Sequence, residues 1–291
     1  MCPYHSPLLF RPNFSNEEYM RITPALAKWE YLHFAARQMS RGQLWQHATG
    51  ESELALVVLG GKCTVTSNRG NWLDIGRRPN VFSGMPYALY LPPQTRFTVK
   101  ATSDLLDIAY GWCSAQAEHP PRLIVPADVE IEIRGGGNAT RQINKMISPG
   151  FACSRLVVVE VYTPAGNWSS YPPHKHDQHI VDTQGNLIEA DLEEVYFYKI
   201  ERPEGYAYQR IYTTDRRIDE LMLVRDNELV LSPEGYHPVV AAHGYNIYYL
   251  NMLAGSAQSL AATDDPTHTW IKETWKDKDP RLPIVNMEME R

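Results

Sequence analysis

The sequence predicts an all-β protein, a sandwich or barrel built twice over, and three observations carry that expectation. Short β-rich runs flanked by Gly, Pro, Asn or Asp dominate the chain, while helical patterning is sparse. Pro is frequent, with 21 among 291 residues, which favours short elements joined by tight turns. A pattern of acid, strand and turn near Glu53 also recurs near Glu194. Tyr is the prevailing aromatic, 17 against 7 Trp and 7 Phe. Rings with a polar tip suit half-buried strands and polar cavities better than a dry core.

Taken in order, Pro24 to Gln38 reads as a helix. Leu54 to Leu59, Gly60-Gly61 and Lys62 to Thr66 read as a hairpin, followed by strands at Tyr87 to Leu91 and Phe97 to Lys100. Ala117-Glu118-His119-Pro120-Pro121 reads as a linker, dividing an N-terminal half, 1–120, from a C-terminal half with a tail, 121–291. Arg134-Gly135-Gly136-Gly137-Asn138 reads as a flexible loop and Ile143 to Ile147 as a short turn. Strands follow at Arg155 to Tyr162, Val195 to Ile200, Tyr206 to Tyr212, Leu229 to Leu231 and Tyr245 to Asn251. The repeat aligns Glu53, its strand and Leu91-Pro92-Pro93 with Glu194, its strand and Leu231-Ser232-Pro233.

The formal net charge of −6 leaves no concentrated basic face, so nucleic acid is not an expected partner. No apolar run approaches about eighteen residues, so no membrane span is expected. The first residues show no signal peptide, and Cys2, Cys63, Cys113 and Cys153 stand far apart. They are expected to be reduced, buried, small apolar residues of a cytoplasmic protein.

Chemistry concentrates in Tyr171-Pro172-Pro173-His174-Lys175-His176-Asp177. On a strand, His174 and His176 point to one side and Lys175 to the other, as a solvated or subunit-contacting charge. Glu194 opens a later strand, and His237 sits in a Pro-x-Gly-x-His turn. Three imidazoles and a carboxylate can converge inside a barrel and hold Zn²⁺, Mn²⁺, Fe²⁺ or Ni²⁺ with positions open for substrate. Arg141 and Lys145 can receive a substrate carboxylate. Gln209 can line the cavity, or Tyr208 or Arg210 if the register shifts by one. His179 and His243 read as loop histidines, and His47 and Glu53 as hydrogen-bonded structural residues.

His174-x-His176, Glu194 and Pro233-x-Gly235-x-His237 resemble the two metal-binding motifs of the cupin superfamily, with an unusually long gap before the glutamate. Longer stretches narrow the resemblance: Tyr171 to Asp177, Glu193 to Lys199, Pro203 to Tyr212, Pro233 to Val240 and Tyr248 to Gly255. They resemble the 5-deoxy-glucuronate isomerase family of bacterial myo-inositol catabolism, itself similar to the 5-keto-4-deoxyuronate isomerases of pectin breakdown. In the latter the ligand glutamate directly precedes a Val-Tyr-Phe-Tyr strand, which implies Glu194, not Glu193, as the ligand here. Strand alternation agrees that only one of the two can face the metal.

The resemblance implies two tandem cupin (jelly-roll) barrels, the first with a degenerate site. Trp45-Gln46-His47 keeps one of two histidines there, and Phe97 falls where His237 would be matched. It implies a single divalent ion per chain, Zn or Mn ahead of Fe or Ni, held by His174, His176, Glu194 and His237. The implied reaction converts the small sugar acid 5-deoxy-D-glucuronate to 2-deoxy-5-keto-D-gluconate by an aldose–ketose isomerisation through an enediolate. A homo-oligomer joined through sheet edges is expected as well. The competing readings are a uronate isomerase or metal-dependent dioxygenase on the same fold, a non-catalytic sugar-binding or regulatory cupin, and a storage-type cupin. The tail after Ala261, with Trp270 and Trp275, can pack on a neighbouring subunit or on its own barrel.

Overall fold

The computed structural model describes residues 6–290, so Cys2 and the start of the chain that was read for a signal peptide lie outside the described residues. The all-β expectation holds: the helical elements are short, and antiparallel sheets form the body of the molecule. In the first barrel a six-stranded sheet runs through Tyr87–Leu91, Ser52–Gly60, Leu105–Ser114 and His33–Ser40. It packs on a four-stranded sheet made of Leu44–Ala48, Arg96–Ala101, Cys63–Ser67 and Gly70–Ile75. Leu54, Leu56 and Val58 fill the space between them with Val65, Phe97 and Val99. The alternate residues Ala55, Val57 and Leu59 point the other way. A strand buried on both faces explains the unbroken apolar run in the sequence.

The second barrel repeats this plan. Its eight-stranded sheet is centred on Val157–Thr163, Ile247–Gly255 and Leu187–Ile200. Its four-stranded sheet carries Trp168–Ser169, Val239–Ala241, Ala207–Tyr212 and Asp219–Val224. Tyr196, Tyr198 and Tyr249 lie between the layers with Ile211, Met222 and Val239. The two barrels meet in a shared core, where Ala55, Val57 and Leu59 join Val195, Phe197, Tyr248 and Leu250. Leu9–Phe10 crosses to the second barrel and pairs with Leu229–Ser232, whereas Arg122–Ile124 stays with Tyr87–Leu91 of the first. The tail packs on its own second barrel: Thr263–Asp264 pairs with His174–Lys175, and Gln142 bonds the main chain of Ile284 and Val285.

Three local expectations are corrected. The helix is confined to Pro24–Ala27, ended by Lys28 at φ 60°, and His33–Ser40 is a strand. Pairing with Leu105–Ser114 on one side and Glu18–Ile22 on the other overrides the helix preference of an Ala-containing segment. Ser52–Gly60 and Cys63–Ser67 do not pair; the chain turns at Gly60-Gly61 and passes from one sheet to the other. Gly61 has φ +89° and a Cβ there would collide with the Leu105 carbonyl, so the glycine serves a crossover rather than a hairpin. Ile143 to Ile147 belongs to the strand Arg141–Ile147.

Two carboxylates fasten the barrels to each other. Glu53 accepts the backbone N–H groups of Ser154, Arg155 and Leu156 at 2.6, 2.7 and 3.0 Å, and the Tyr90 hydroxyl at 3.0 Å. Glu193 accepts those of Glu30, Tyr31 and Leu32, the last at 2.6 Å. Each amide trio leads into a strand of the opposite barrel, Val157–Thr163 or His33–Ser40. Register agrees with this symmetry: Glu53 lies opposite Cys113 as Glu193 lies opposite Ala254, and Leu54 opposite Trp112 as Glu194 lies opposite Leu253. Glu53 is therefore the counterpart of Glu193, not of Glu194, and the ligand position of the first barrel holds Leu54.

Candidate metal centre

His174 opens the short strand His174–Lys175, and His176 follows it. Glu194 lies mid-strand in Leu187–Ile200, between Ser232 and Leu253, where it faces the second barrel's interior. His237 follows a turn at Gly235, whose φ of +84° excludes most side chains and whose N–H donates to Asp177 Oδ2 at 2.8 Å. Lys175, expected as a solvated or subunit-contacting charge, bonds Asp177 and Glu189 and is an internal tie between these segments.

The structure brings His176, Glu194 and His237 together, with ligand atoms all within 4.8 Å of one another. His176 Nε2 lies 3.1 Å and His237 Nε2 3.5 Å from Glu194 Oε2. The His174 ring adjoins this group, 4.8 Å from the His237 ring and 6.5 Å from that of His176. Each imidazole turns Nδ1 to a main-chain carbonyl: His174 to Pro172 at 3.3 Å, His176 to Leu192 at 3.1 Å and His237 to Gly235 at 2.9 Å. A nitrogen beside a carbonyl must carry the proton, which leaves His174 and His237 each with an Nε2 lone pair as the ligand atom, while Nε2 of His176 meets the Glu194 carboxylate, a contact that a bound ion would replace. His237 Nε2 is buried and has no hydrogen-bond partner among the described residues. A cation would satisfy that orphaned acceptor, and imidazole nitrogens with one carboxylate suit a borderline divalent ion.

Burial pushes His174 and His237 down to about 3, assisted by the neighbouring imidazoles. Burial also opposes protonation of His176, but the hydrogen bond and charge of Glu194 outweigh it and the net shift is upward. Unfolded histidine titrates near 6.5. Between that value and about 3 the unfolded chain takes up protons that His174 and His237 refuse in the folded state, so stability falls as pH drops through this window. His176 works in the opposite sense. Chelator-treated protein is therefore expected to melt at a lower temperature at pH 5 than at pH 7; an equal or higher melting temperature at pH 5 contradicts neutral burial of two imidazoles.

A cavity of about 70 Å³ adjoins the group, walled by His174, Glu194, Tyr196, Tyr249, Arg141 and Lys145. Gln209 is fully buried and accepts from the Tyr198 hydroxyl at 2.8 Å, but it does not line this cavity. Tyr208 is exposed and Arg210 pairs with Asp219, so the register that turns Gln209 inward is not shifted. His179 contacts Ser256 at the surface and His243 is exposed.

Sequence reasoning missed Tyr196, Tyr249, Asn251, Ser170 and Arg134, which also line the cavity. Alternation from Glu194 points to Tyr196, and alternation from Leu253, its cross-strand partner, points to Asn251 and Tyr249. Ser170 Oγ lies 3.0 Å from the Tyr196 hydroxyl and 3.4 Å from that of Tyr249; no pattern announces it. In the first barrel the corresponding space is packed with Trp45, His47, Phe97, Tyr110 and Trp112, with Trp45 and Tyr110 rings 4.5 Å apart. Among the described residues His176, Glu194 and His237 are the one such ligand group.

Comparison with known proteins shows the family and the fold. The model of the KduI/IolB family matches residues 8–271. The chain is 42% identical over 263 residues to the 5-deoxy-glucuronate isomerase of Geobacillus thermodenitrificans (strain NG80-2), covering 89% of this chain and 93% of that one. The crystal structure of an IolB-like protein from Salmonella typhimurium LT2 superimposes with a TM-score of 0.86 at 36% identity, over 91% of this chain and 98% of the other. Oxalate decarboxylase of Lactobacillus farciminis shares the fold alone, with a TM-score of 0.63 at 9% identity over 89% of each chain. The architecture is that of a tandem cupin.

Proposed function

The chain belongs to the KduI/IolB family, and from that premise we propose that it isomerises 5-deoxy-D-glucuronate to 2-deoxy-5-keto-D-gluconate, a step of myo-inositol catabolism, with a divalent ion held by His174, His176, Glu194 and His237. The observation that carries the metal-dependent part is the shared orientation of the three imidazoles, each tied through Nδ1 to a main-chain carbonyl, with Nε2 of His176 and of His237 both directed at Glu194 Oε2. Zn or Mn suits this donor set best, with Fe or Ni behind.

An aldose–ketose isomerisation moves hydrogen between neighbouring carbons of one substrate and needs no external oxidant. When bound, the ion would polarise the aldehyde and its neighbouring hydroxyl and so ease removal of the proton between them. The chain's own residues supply the setting. Glu194 contributes one negative charge against neutral imidazoles, which leaves the centre attractive to oxygens that gain negative charge. Burial pushes the Tyr196 and Tyr249 hydroxyls upward, so both stay protonated at neutral pH and can donate hydrogen bonds into the cavity with Ser170. The packed barrel interior around them limits the access of water.

No helix among the described residues is long and apolar enough to cross a membrane. Cys63, Cys113 and Cys153 are buried free thiols, which fits the reducing cytoplasm as the compartment in this reading. The reading is tested by following 5-deoxy-glucuronate by NMR in the presence of metal-reconstituted protein. Conversion to the keto acid is the expected result; an unchanged aldehyde, with turnover of some other uronate instead, would overturn the substrate.

A further inference from the structure

We infer that Arg141 receives the carboxylate of the substrate and sets the preference for sugar acids over neutral sugars, an inference that rests on the isomerase reading above. Arg141 starts the strand Arg141–Ile147 and is only 4% exposed. Its Nη1 donates to the carbonyls of Ala139 at 3.2 Å and Tyr171 at 3.0 Å, and its guanidinium lies 5.8 Å from the centre of the Trp275 ring. Among the described residues no carboxylate pairs with it.

The other two cations of the cavity are already engaged. Arg134 bonds Glu132 in a two-pronged pair at 2.6 and 2.9 Å. Lys145 bridges Glu130 and Glu132, each at 2.9 Å. Arg141 alone among these three keeps a charge without an acidic partner while losing most of its hydration. Burial pushes it down to about 10, which still leaves it protonated at neutral pH.

A buried cation without a counter-charge is costly, and main-chain carbonyls compensate it only in part. A guanidinium offers five N–H donors in a rigid fork, and Nε and Nη2 of Arg141 make no hydrogen bond to the described protein. That fork matches a carboxylate in geometry as well as in sign. The cavity it lines also carries His174 and Glu194, so an acid held there places its remaining oxygens toward the candidate metal centre. The Arg141 contact with the Tyr171 carbonyl also links the guanidinium to the segment that carries His174.

The test compares wild type, R141M and R141K on 5-deoxy-glucuronate and on 5-deoxy-glucose, in which a hydroxymethyl group replaces the carboxylate. R141M should lower kcat/KM for the acid by about 100-fold, mainly through KM, while the neutral sugar loses far less; R141K should recover part of the loss. Metal content equal to wild type serves as the control for a preserved site. An equal fall with both sugars, or no fall with the acid, overturns the inference and leaves Arg141 as a support of the Tyr171 segment. Calorimetry with glucuronate carries the same test if turnover is absent. Tight binding by wild type and weak binding by R141M upholds the carboxylate contact while the isomerase reading alone fails. Equal binding by both proteins, or none by wild type, overturns it.

Discussion

His237→Ala is expected to lose its metal and its turnover together. His237 is fully buried, its Nδ1 is fixed by the Gly235 carbonyl, and its Nε2 makes no hydrogen bond among the described residues, with Glu194 Oε2 3.5 Å away. Removing the ring deletes a ligand outright, so the loss should exceed the roughly 10–100-fold that follows from disturbing a residue that only orients a ligand. Alanine also leaves the Gly235 carbonyl without that contact, and circular dichroism and the thermal transition separate this effect from metal loss. A folded variant that keeps both metal and activity would remove His237 from the centre and leave His174 and His176 to be re-examined with Glu194.

The second large effect lies far from that chemistry. Arg78 and Glu160, 2% and 0% exposed, form an ion pair that joins the first barrel to the second. Arg78 also bonds the Val58 carbonyl at 3.0 Å, and the Tyr248 hydroxyl donates to Glu160 at 2.9 Å. Burial disfavours the charge on Arg78, but Glu160 more than restores it. Arg78→Met leaves a carboxylate buried without its cation, which is expected to cost about 3–5 kcal/mol in urea-unfolding experiments. The double variant Arg78→Met, Glu160→Met should regain most of that loss, because two apolar side chains of similar volume leave no unpaired charge. A single-variant loss below about 1 kcal/mol would mean that the neighbouring tyrosines and water compensate the carboxylate.

Much of the architecture was legible because strand signals were strong and local. Tyr87–Leu91 starts and ends where its turn residues place it, and Glu194 faces the barrel as the family resemblance implied, alternation alone requiring only that one of Glu193 and Glu194 do so. His33–Ser40 was misread because its preference is local while its pairing with Leu105–Ser114 is distant in the chain. The repeat was visible but out by one residue, since Glu53 and Glu194 look alike in sequence and only the strand register and the amide trio at Ser154 to Leu156 reveal Glu53 as the counterpart of Glu193. At the site, residue types with ligand chemistry stood out, so His174, His176, Glu194 and His237 could be proposed together. Arg141 could be named from its charge, but what separates it from Lys145 is the position of Glu130 and Glu132, which only the fold supplies. Gln209, named with Tyr208 and Arg210 as its alternatives, is the one of the three that turns inward, yet it bonds Tyr198 and the cavity lies elsewhere along the barrel.

The most direct test of the account is a metal titration of chelator-stripped wild type, with bound ion and conversion of 5-deoxy-glucuronate measured in the same samples. Activity that rises in proportion to occupancy and saturates at one ion per chain is the predicted result. Full activity in protein shown to be free of metal would contradict it.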